Sequence, residues 1–390
     1  MPLDNELPFD HHADFDPAGD FDAFLKTVPA KWVVYLLADE RDQPVQLLCV
    51  KNLRYSLKRR LGGDEMIGPT KRVNYRDLVR RIHWRRVDSA FEADWLYYEA
   101  ARALFPQSYQ GMVGFRPAWF VQVNPETNFP RYTKTIDLTG KTGVFLGPVE
   151  DKHAAGKLIQ LVEDAFDLCR YYNILTEAPR GLPCAYKEMG KCPAPCDGSI
   201  SMQQYRQVVE WSTRVLVDPA DYVREQQRRM QQAAAELRFE TAGKIKAYID
   251  QLSQLGKGPF RHAARLADFQ YLSFQRGPRA GTAKLFLITP GQIEQLLCVI
   301  DDSFSPGETL RVALTRAAAD VAAAPITQEG VERIGIVAHH LFCAKSAHGV
   351  FLPMAKIDEK SIAKAWRDLQ KQKVPEEVDA EGVVKELQAL

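Results

Sequence analysis

Four of the seven cysteines fall within one 28-residue window, and the chain around them is rich in proline and glycine. Cys184, Cys192 and Cys196 are separated by seven and three residues, and Cys169 lies fifteen positions before Cys184. The prolines keep this stretch out of regular helix or strand, which leaves loops that can wrap an ion. Four thiolates in a reducing compartment suit a tetrahedral zinc site or an iron–sulfur cluster, and composition leaves both open. The alternative is a set of small buried side chains in a loop-rich region.

The bulk composition indicates a globular protein with enough apolar residues for two to four domains. The formal net charge of +1 argues neither for nor against a nucleic-acid partner. No stretch is apolar enough to span a membrane, and the first residues lack the pattern of a signal peptide. We therefore expect a cytoplasmic protein with no membrane contact, whose cysteines are not a disulfide framework.

Charge is distributed unevenly near the N-terminus. The first 26 residues carry seven acidic side chains and one lysine, so residues 1–27 are predicted to be a flexible acidic leader. From Lys51 to Arg86 there are twelve Lys/Arg against three Asp/Glu. This basic stretch is a candidate contact for a phosphate backbone, although a solvated helical face is equally consistent with it.

The hydrophobic pattern predicts an α+β fold. Residues 28–112 are predicted to form a small α/β domain of hairpin, helix, helix, strand and helix. The predicted elements are strands Trp32–Leu37 and Val45–Val50, a helix from Asn52 to Leu61, a helix Tyr75–Ile82, a strand Trp84–Val87 and a helix from Ser89 to Leu104. Asn52 and Ser89 are predicted N-caps, the second in a capping box with Glu92.

The rest of the chain divides into three predicted parts. Residues 113–217 form a cysteine-rich loop region with helices Lys152–Cys169 and Ser201–Val217, and residues 218–256 form a helical hairpin with its turn near Arg238–Phe239. Residues 260–390 form a separate C-terminal α+β unit. Its predicted strands are Gln270–Phe274, Ala283–Ile288 and Leu297–Ile300, and its predicted helices are Thr309–Ala323, Glu329–Phe342 and Glu359–Gln372.

The cysteine segment Arg180–Cys196 resembles the UvrC pattern R-P-C-L-x-Y-x-I-G-R-C-x-A-P-C. Ile200–Tyr205 is similar to that family's I-S-x-x-x-Y, and Gly143–Pro148 looks like its Y-F-G-P. The resemblance implies a 4Fe–4S iron–sulfur cluster held by four cysteines, with zinc as the alternative. The implied ligands are Cys169, Cys184, Cys192 and Cys196, of which Cys169 comes two residues earlier than the family pattern places it.

The helical hairpin resembles the UVR motif of the same family. Met230, Leu237, Phe239 and Glu240 fall where the motif has M, L, F and E. Two short helices have too little apolar surface to be stable alone, so a partner should complete them. The resemblance implies that this partner is a UvrB-like protein; the alternative is a hairpin packed only on its own chain.

The N-terminal part resembles the GIY-YIG nuclease domain of UvrC. Val33–Tyr35 stands where the family has G-V-Y, Lys51–Arg54 matches K-N-L-R, and Asp88–Ala93 is similar to S-E-x-E-A. The resemblance implies a basic helix that binds DNA. Its candidate DNA-binding residues are Lys51, Arg54, Lys58, Arg59 and Arg60.

The catalytic positions of this resemblance are largely replaced. Tyr35 remains as a residual catalytic residue, but the arginine position holds Ser56 and the metal-binding glutamate position holds Tyr97. Gln46 stands at the second tyrosine, and Glu99, two residues beyond Tyr97, should face the other side of its helix. We predict that nuclease activity is lost or strongly reduced, with little support for a catalytic divalent metal.

Together these features predict a UvrC-like nucleotide-excision-repair protein that binds DNA and a UvrB-like partner. One alternative is a cytoplasmic adaptor that uses the cluster and hairpin without DNA, and another is a still-active GIY-YIG endonuclease. Asp301 and Asp302 alone would not hold the metal of UvrC's second, RNase-H-like nuclease. The His339, His340, Cys343 and His348 set is not favoured as a metal site, because adjacent residues of a helix face different directions.

Overall fold

The computed structural model describes residues 8–62, 74–114, 117–300, 304–319, 325–343 and 349–371. The fold is mixed α+β, as the sequence predicts. In this part of the chain the strands form three four-stranded sheets with antiparallel pairing. Within the same residues, no helix combines the length and apolar character needed to cross a bilayer.

The N-terminal unit, residues 8–114, is built around a sheet of order β1-β4-β2-β3. Its elements are β1 (His11–Asp14), α1 (Phe21–Thr27), β2 (Val33–Ala38), β3 (Pro44–Val50), α2 (Leu53–Leu61), α3 (Tyr75–Leu78), β4 (Arg81–Arg86), α4 (Ala90–Leu104) and α5 (Tyr109–Met112). Asn52 caps α2 by accepting from the backbone N–H of Tyr55, and Ser89 caps α4 in the same way from Glu92. Both capped helices are therefore confirmed. The helix predicted over 75–82 is a single turn, because the chain from Arg81 joins the sheet.

Residues 8–27 differ from the predicted flexible leader. β1 pairs antiparallel with β4, and α1 is capped by Asp20. Phe15, Leu25 and Val28 are buried and belong to the core under α2. The seven carboxylates dominate the composition, but the apolar residues between them are spaced to reach that core. Residues 1–7 lie outside the described part.

The two faces of β2 carry different cores. Val33, Tyr35 and Leu37 pack toward α1 and α2, whereas Val34 and Leu36 pack toward α4. This alternation follows from the period of two of a strand. Tyr35 therefore lies on the α2 side of the sheet.

The cysteine region, residues 117–217, pairs a second sheet with two long helices. Its elements are β5 (Trp119–Val123), β6 (Thr133–Thr135), β7 (Val144–Val149), α6 (Lys152–Ala165), α7 (Tyr172–Leu175), α8 (Ala185–Glu188) and α9 (Met202–Val217). A two-residue strand after the hairpin, β8 (Ala264–Arg265), pairs with β7. α6 ends before the predicted Cys169, because Asp167 takes a left-handed conformation with φ 51°.

The hairpin consists of α10 (Pro219–Ala235) and α11 (Phe239–Leu252). Its turn lies at residues 236–238 and overlaps the predicted turn at Arg238. Leu237 stands at the turn with φ 60°, a left-handed conformation that residues other than glycine rarely adopt.

The C-terminal unit, residues 260–371, has a third sheet of order β11-β10-β9-β12. Its further elements are β9 (Tyr271–Arg276), β10 (Thr282–Thr289), β11 (Gln292–Ile300), α12 (Pro306–Ala319), α13 (Gln328–Phe342), β12 (Val350–Pro353) and α14 (Glu359–Gln370). The three predicted strands and three predicted helices are present, whereas β12 was not predicted. One buried cluster joins Phe91 and Tyr98 of α4 with Phe286 of β10 and Ile334 of α13, so this unit shares a core with the N-terminal unit.

Candidate functional site

The four predicted cluster ligands all lie in loops or at helix starts of the cysteine region. Cys169 follows α6, Cys184 immediately precedes α8, and Cys192 and Cys196 flank a proline-rich turn. The thiol of Cys169 hydrogen-bonds that of Cys192, and the charge of Cys196 acts on Cys169. Cys184 is half-buried, and among the described residues no three His, Cys, Asp or Glu side chains stand together as a metal-holding group. The donor chemistry thus suits iron–sulfur or zinc, but the four sulfurs are not gathered into one set.

The contact between Cys169 and Cys192 shifts the pKa values of the two thiols in opposite directions. The hydrogen bond from Cys169 lowers the pKa of Cys192 to about 6, and the same bond raises the pKa of Cys169. Burial raises the pKa of Cys196. One thiolate is therefore favoured at the centre of this segment.

Arg170 holds the loops of the cysteine segment (residues 169–196) together. Its guanidinium donates to the carbonyl oxygens of Leu168 and Lys191 at 3.2 and 3.0 Å, and lies 4.3 Å from the centre of the Tyr186 ring. It also pairs with Asp164 at 2.5 Å. Arg170 thus fixes the stretch carrying Cys169 to the stretch carrying Cys192. Arg170 was not predicted from the sequence, although its place next to Cys169 was an available signal.

Two backbone hydrogen bonds complete this arrangement. The N–H of Cys169 donates to the Tyr205 hydroxyl at 3.1 Å, and the N–H of Gly181 donates to the Cys196 carbonyl at 2.8 Å. Tyr205 closes the Ile200–Tyr205 motif, and burial raises its pKa. The motif tyrosine therefore supports the cysteine segment from α9.

Tyr35, the predicted residual catalytic residue, is fully buried. Its hydroxyl lies 2.7 Å from Ser56 Oγ, and burial raises its pKa. Arg60, one helical turn beyond Ser56, donates to Gln46 Oε1 at 2.9 Å. The structure thus brings Tyr35 together with Ser56, at the family's arginine position, and Gln46, at the position of its second tyrosine.

Tyr97 and Glu99 point in different directions, as the helical rotation predicted. Tyr97 packs with Trp32 and Cys49 on the α4 side of the sheet, away from the Tyr35 core. Glu99 accepts from Arg333 Nε at 2.7 Å and also pairs with Arg102. Its carboxylate is therefore engaged by two cations at the boundary with the C-terminal unit.

The predicted DNA-binding residues lie on or beside α2. Lys51, Lys58 and Arg59 are exposed to solvent. Arg54 is also exposed, but its Nη2 donates to the Val28 carbonyl at 3.0 Å, while Arg60 is half-buried against Gln46. Four of the five cations are therefore exposed to solvent, and Arg60 is half-buried.

The hairpin exposes its tip and buries its base. Leu237 is 74% exposed and Phe239 is 66% exposed, whereas Met230 is half-buried. Glu240 is exposed and pairs with Lys244. The predicted partner-binding residues of the turn are therefore accessible.

Aromatic side chains fix the base of the hairpin to the cysteine region. Tyr222 of α10 meets Trp211 of α9 edge-on at 5.0 Å between ring centres, and Trp211 meets Phe166 at 5.2 Å. The Tyr248 hydroxyl of α11 also donates to Asp167 at 3.4 Å. The hairpin is thus connected to the loop that leads into Cys169.

The disfavoured histidine set has other contacts. His340 Nε2 lies 2.8 Å from Asp94 Oδ2, and His339 lies 3.5 Å from Cys343 Sγ. His348, Asp301 and Asp302 lie outside the described residues.

Comparisons with known proteins agree on one family. The family model described as UvrC/Cho excinuclease, middle domain, matches residues 118–214, which include the four cysteines of the segment. The chain is 25% identical over 272 residues to the UvrABC system protein C of Syntrophomonas wolfei. It is 23% identical over 274 residues to that of Caldanaerobacter subterraneus and 24% identical over 279 residues to that of Campylobacter jejuni.

Each of these alignments covers 69% of this chain and 44% of the relative, so the chain spans less than half the length of the curated relatives it matches. No solved structure matches the chain. The chain is therefore UvrC-like, with its middle-domain match centred on the cysteine region.

Proposed function

We propose that this chain acts in nucleotide excision repair, binding DNA and a UvrB-like partner with nuclease activity lost or strongly reduced. The observation that carries the proposal is the UvrC/Cho middle-domain match over residues 118–214. Relatives that match both this region and its surroundings are named UvrABC system protein C. The basic helix α2 supplies the surface for the phosphate backbone.

The surroundings of Tyr35 support the loss of catalysis. A tyrosine that assists phosphodiester hydrolysis must reach the attacking water, but this hydroxyl is buried and bonded to Ser56. Arg60, whose guanidinium also acts on the Tyr35 hydroxyl, is bonded to Gln46. Removing one charge-stabilising donor typically costs about 10²–10³ in rate, and here several family positions differ at once.

DNA binding without efficient incision is the first expected result. If about five phosphates meet Lys51 and the four cations of α2, log affinity for duplex DNA should fall against log salt with a slope of about −4 to −5. Incision of damaged or branched DNA with Mg²⁺ or Mn²⁺ should not exceed that of Tyr35→Phe. Clean incision that Tyr35→Phe abolishes would instead identify a working endonuclease, and no DNA binding at low salt would favour the adaptor.

We also propose that Cys169, Cys184, Cys192 and Cys196 hold an iron–sulfur cluster, with zinc as the alternative. When bound, such a group would link the loops of the cysteine segment through metal–sulfur bonds. The chain contributes the paired thiols of Cys169 and Cys192 and the support from Arg170 and Tyr205. Gathering all four sulfurs requires Cys184 and Cys196 to approach the Cys169–Cys192 pair.

The hairpin tip is the proposed docking site for the UvrB-like partner. The left-handed conformation of Leu237 costs about 1–2 kcal/mol, yet the side chain is 74% exposed and gains little burial in return. Strain of this kind is typical of functional positions. Leu237 and Phe239 together offer an apolar contact for another helix pair.

Truncation of this tip is expected to weaken partner binding while leaving the fold intact. Phe239→Ala should weaken affinity for the UvrB protein of the same organism about thirtyfold, because a central buried aromatic contributes about 2 kcal/mol or more. Leu237→Gly should also weaken binding, yet raise stability by up to about 1 kcal/mol by removing the strain. The measurements are calorimetric titration and thermal unfolding.

Leu314→Ala is the matched control, because Leu314 is an exposed leucine of α12 in the C-terminal unit. It should leave partner affinity unchanged. Equal affinities for wild type and Phe239→Ala would show that the hairpin serves only its own chain.

A further inference from the structure

A groove with a cavity volume of about 460 Å³ separates α1 from α2 in the N-terminal unit. Its walls carry Lys26 from α1, and Arg54 and Lys58 from α2, against the single carboxylate of Asp22. Leu25 and Tyr55 supply its apolar lining. The groove requires residues 21–27 to be helical, because α1 forms one of its walls. The acidic composition of this stretch predicted a flexible leader, so the groove could not be predicted from it.

One cation of the groove, Arg54, is held in place by the fold, and Lys58 lies beside it on the same helix. Arg54 and Lys58 are four residues apart on α2, which sets them on one face of the helix. The bond from Arg54 Nη2 to the Val28 carbonyl fixes the guanidinium and uses one of its five N–H donors. The first turn of α2 has no acidic residue, and Lys26 lies in the last turn of α1. An anion in the groove would therefore meet positive charge from both walls.

The combination of cations with an aromatic ring defines the class of ligand. Phosphate oxygens suit the lysines and the guanidinium, and the half-buried Tyr55 ring suits the face of a base or sugar. Bases in a duplex are stacked on one another and cannot reach such a ring, whereas those of a single strand can. The volume lies in the range of sites for small ligands.

We propose that the α1–α2 groove binds a single-stranded nucleic-acid segment, with a phosphate between Lys26, Arg54 and Lys58 and an unpaired base or its sugar against Tyr55. This rests on the proposed DNA binding and refines it. The groove distinguishes single strands from duplex, and it adds Lys26, from outside α2, to the binding surface.

The test is fluorescence anisotropy with a labelled single-stranded oligonucleotide and a duplex of the same length, using the full chain. Lys26→Ala and Lys58→Ala should each weaken single-strand binding about tenfold at low salt and reduce the salt slope by about 0.7. Tyr55→Ala should weaken binding to the single strand more than binding to the duplex. Arg41→Ala is the control, because Arg41 is an exposed cation of the same unit at the turn between β2 and β3, outside the groove.

The outcomes separate the groove from the broader proposal. Equal losses in Lys26→Ala and Arg41→Ala would overturn the groove and leave DNA binding in place. Equal effects of Tyr55→Ala on single strand and duplex would overturn the single-strand assignment. If the wild type binds neither DNA at low salt, the proposed function itself fails. Far-ultraviolet circular dichroism of each variant checks that the unit is folded.

Discussion

Replacing Cys192 or Cys196 with serine is expected to abolish metal binding by the cysteine segment. Both cysteines are buried, and Cys192 contacts Cys169 directly. A serine hydroxyl is not a thiolate ligand, so the metal–sulfur bonds at that position cannot form. Metal content, measured by atomic emission after purification without oxygen, should fall from about one site per chain to near zero.

Colour decides which metal is present, because an iron–sulfur cluster absorbs visible light and zinc does not. Cys343→Ser is the control, since Cys343 lies at the end of α13 in the C-terminal unit. It should retain the metal of the wild type. Full metal content in both Cys192→Ser and Cys196→Ser would contradict the proposed site, and colourless protein with zinc would replace the iron–sulfur assignment.

Cys169→Ser addresses the departure from the family spacing. Cys169 comes two residues early, but the left-handed turn at Asp167 and the bond to Tyr205 bring its thiol to Cys192. Its replacement should therefore also lose the metal. Retention of metal in Cys169→Ser alone would identify a site with three cysteine ligands and another donor.

Local signals in the sequence were sufficient for most elements. Asn52, Ser89 and Ser201 each cap the helix that they were predicted to begin. A cap and its helix lie within a few residues, so the pattern contains the whole interaction. The prediction of a flexible acidic leader was wrong for residues 8–27. Phe15 and Leu25 are buried only because they pack against residues of α2, which lie far along the chain, and the composition of the leader is dominated by carboxylates.

Some contacts of the candidate site could also be predicted from local sequence patterns, and others could not. The neighbourhood of Tyr35 and Ser56 follows from a family motif, and the separation of Tyr97 from Glu99 follows from 100° per residue along a helix. The partners of α4 in the C-terminal unit could not be read from the sequence. Tyr98 donates to buried Glu332 at 2.7 Å across 234 positions, and no local period marks such a pair.

Lys284→Met is expected to destabilise the junction between the N-terminal and C-terminal units by about 3–5 kcal/mol. Lys284 Nζ lies 2.5 Å from Glu92 Oε1 and 2.8 Å from Asp88 Oδ2, and the two carboxylate side chains are 1% and 5% exposed. Burial raises the pKa of Glu92, and Lys284 opposes this rise. Methionine keeps much of the apolar stem but leaves the buried carboxylate of Glu92 without its cation, whereas Asp88 keeps its pair with Arg86. Denaturant unfolding followed by fluorescence measures the loss.

Lys244→Met is the matched control for this substitution. Lys244 and Glu240 are paired at 3.3 Å with side chains 70% and 87% exposed, so the same change there should alter stability by less than about 0.5 kcal/mol.

The loss of stability caused by Lys284→Met should also depend on pH. Without the lysine the pKa of Glu92 in the folded state rises further, so folding is favoured where Glu92 is protonated, and stability is lost as pH rises through that pKa. The deficit should therefore be smaller at about pH 5 than at about pH 8.

A second substitution tests whether the charge itself is responsible. Adding Glu92→Gln to Lys284→Met removes one unpaired charge, while the amide oxygen can still accept the Asp88 N–H that Glu92 accepts in the wild type. Part of the lost stability should return. If the double variant is instead less stable by the sum of the single effects, the lysine acts through packing, and the junction depends on the shared core around Phe91 and Phe286.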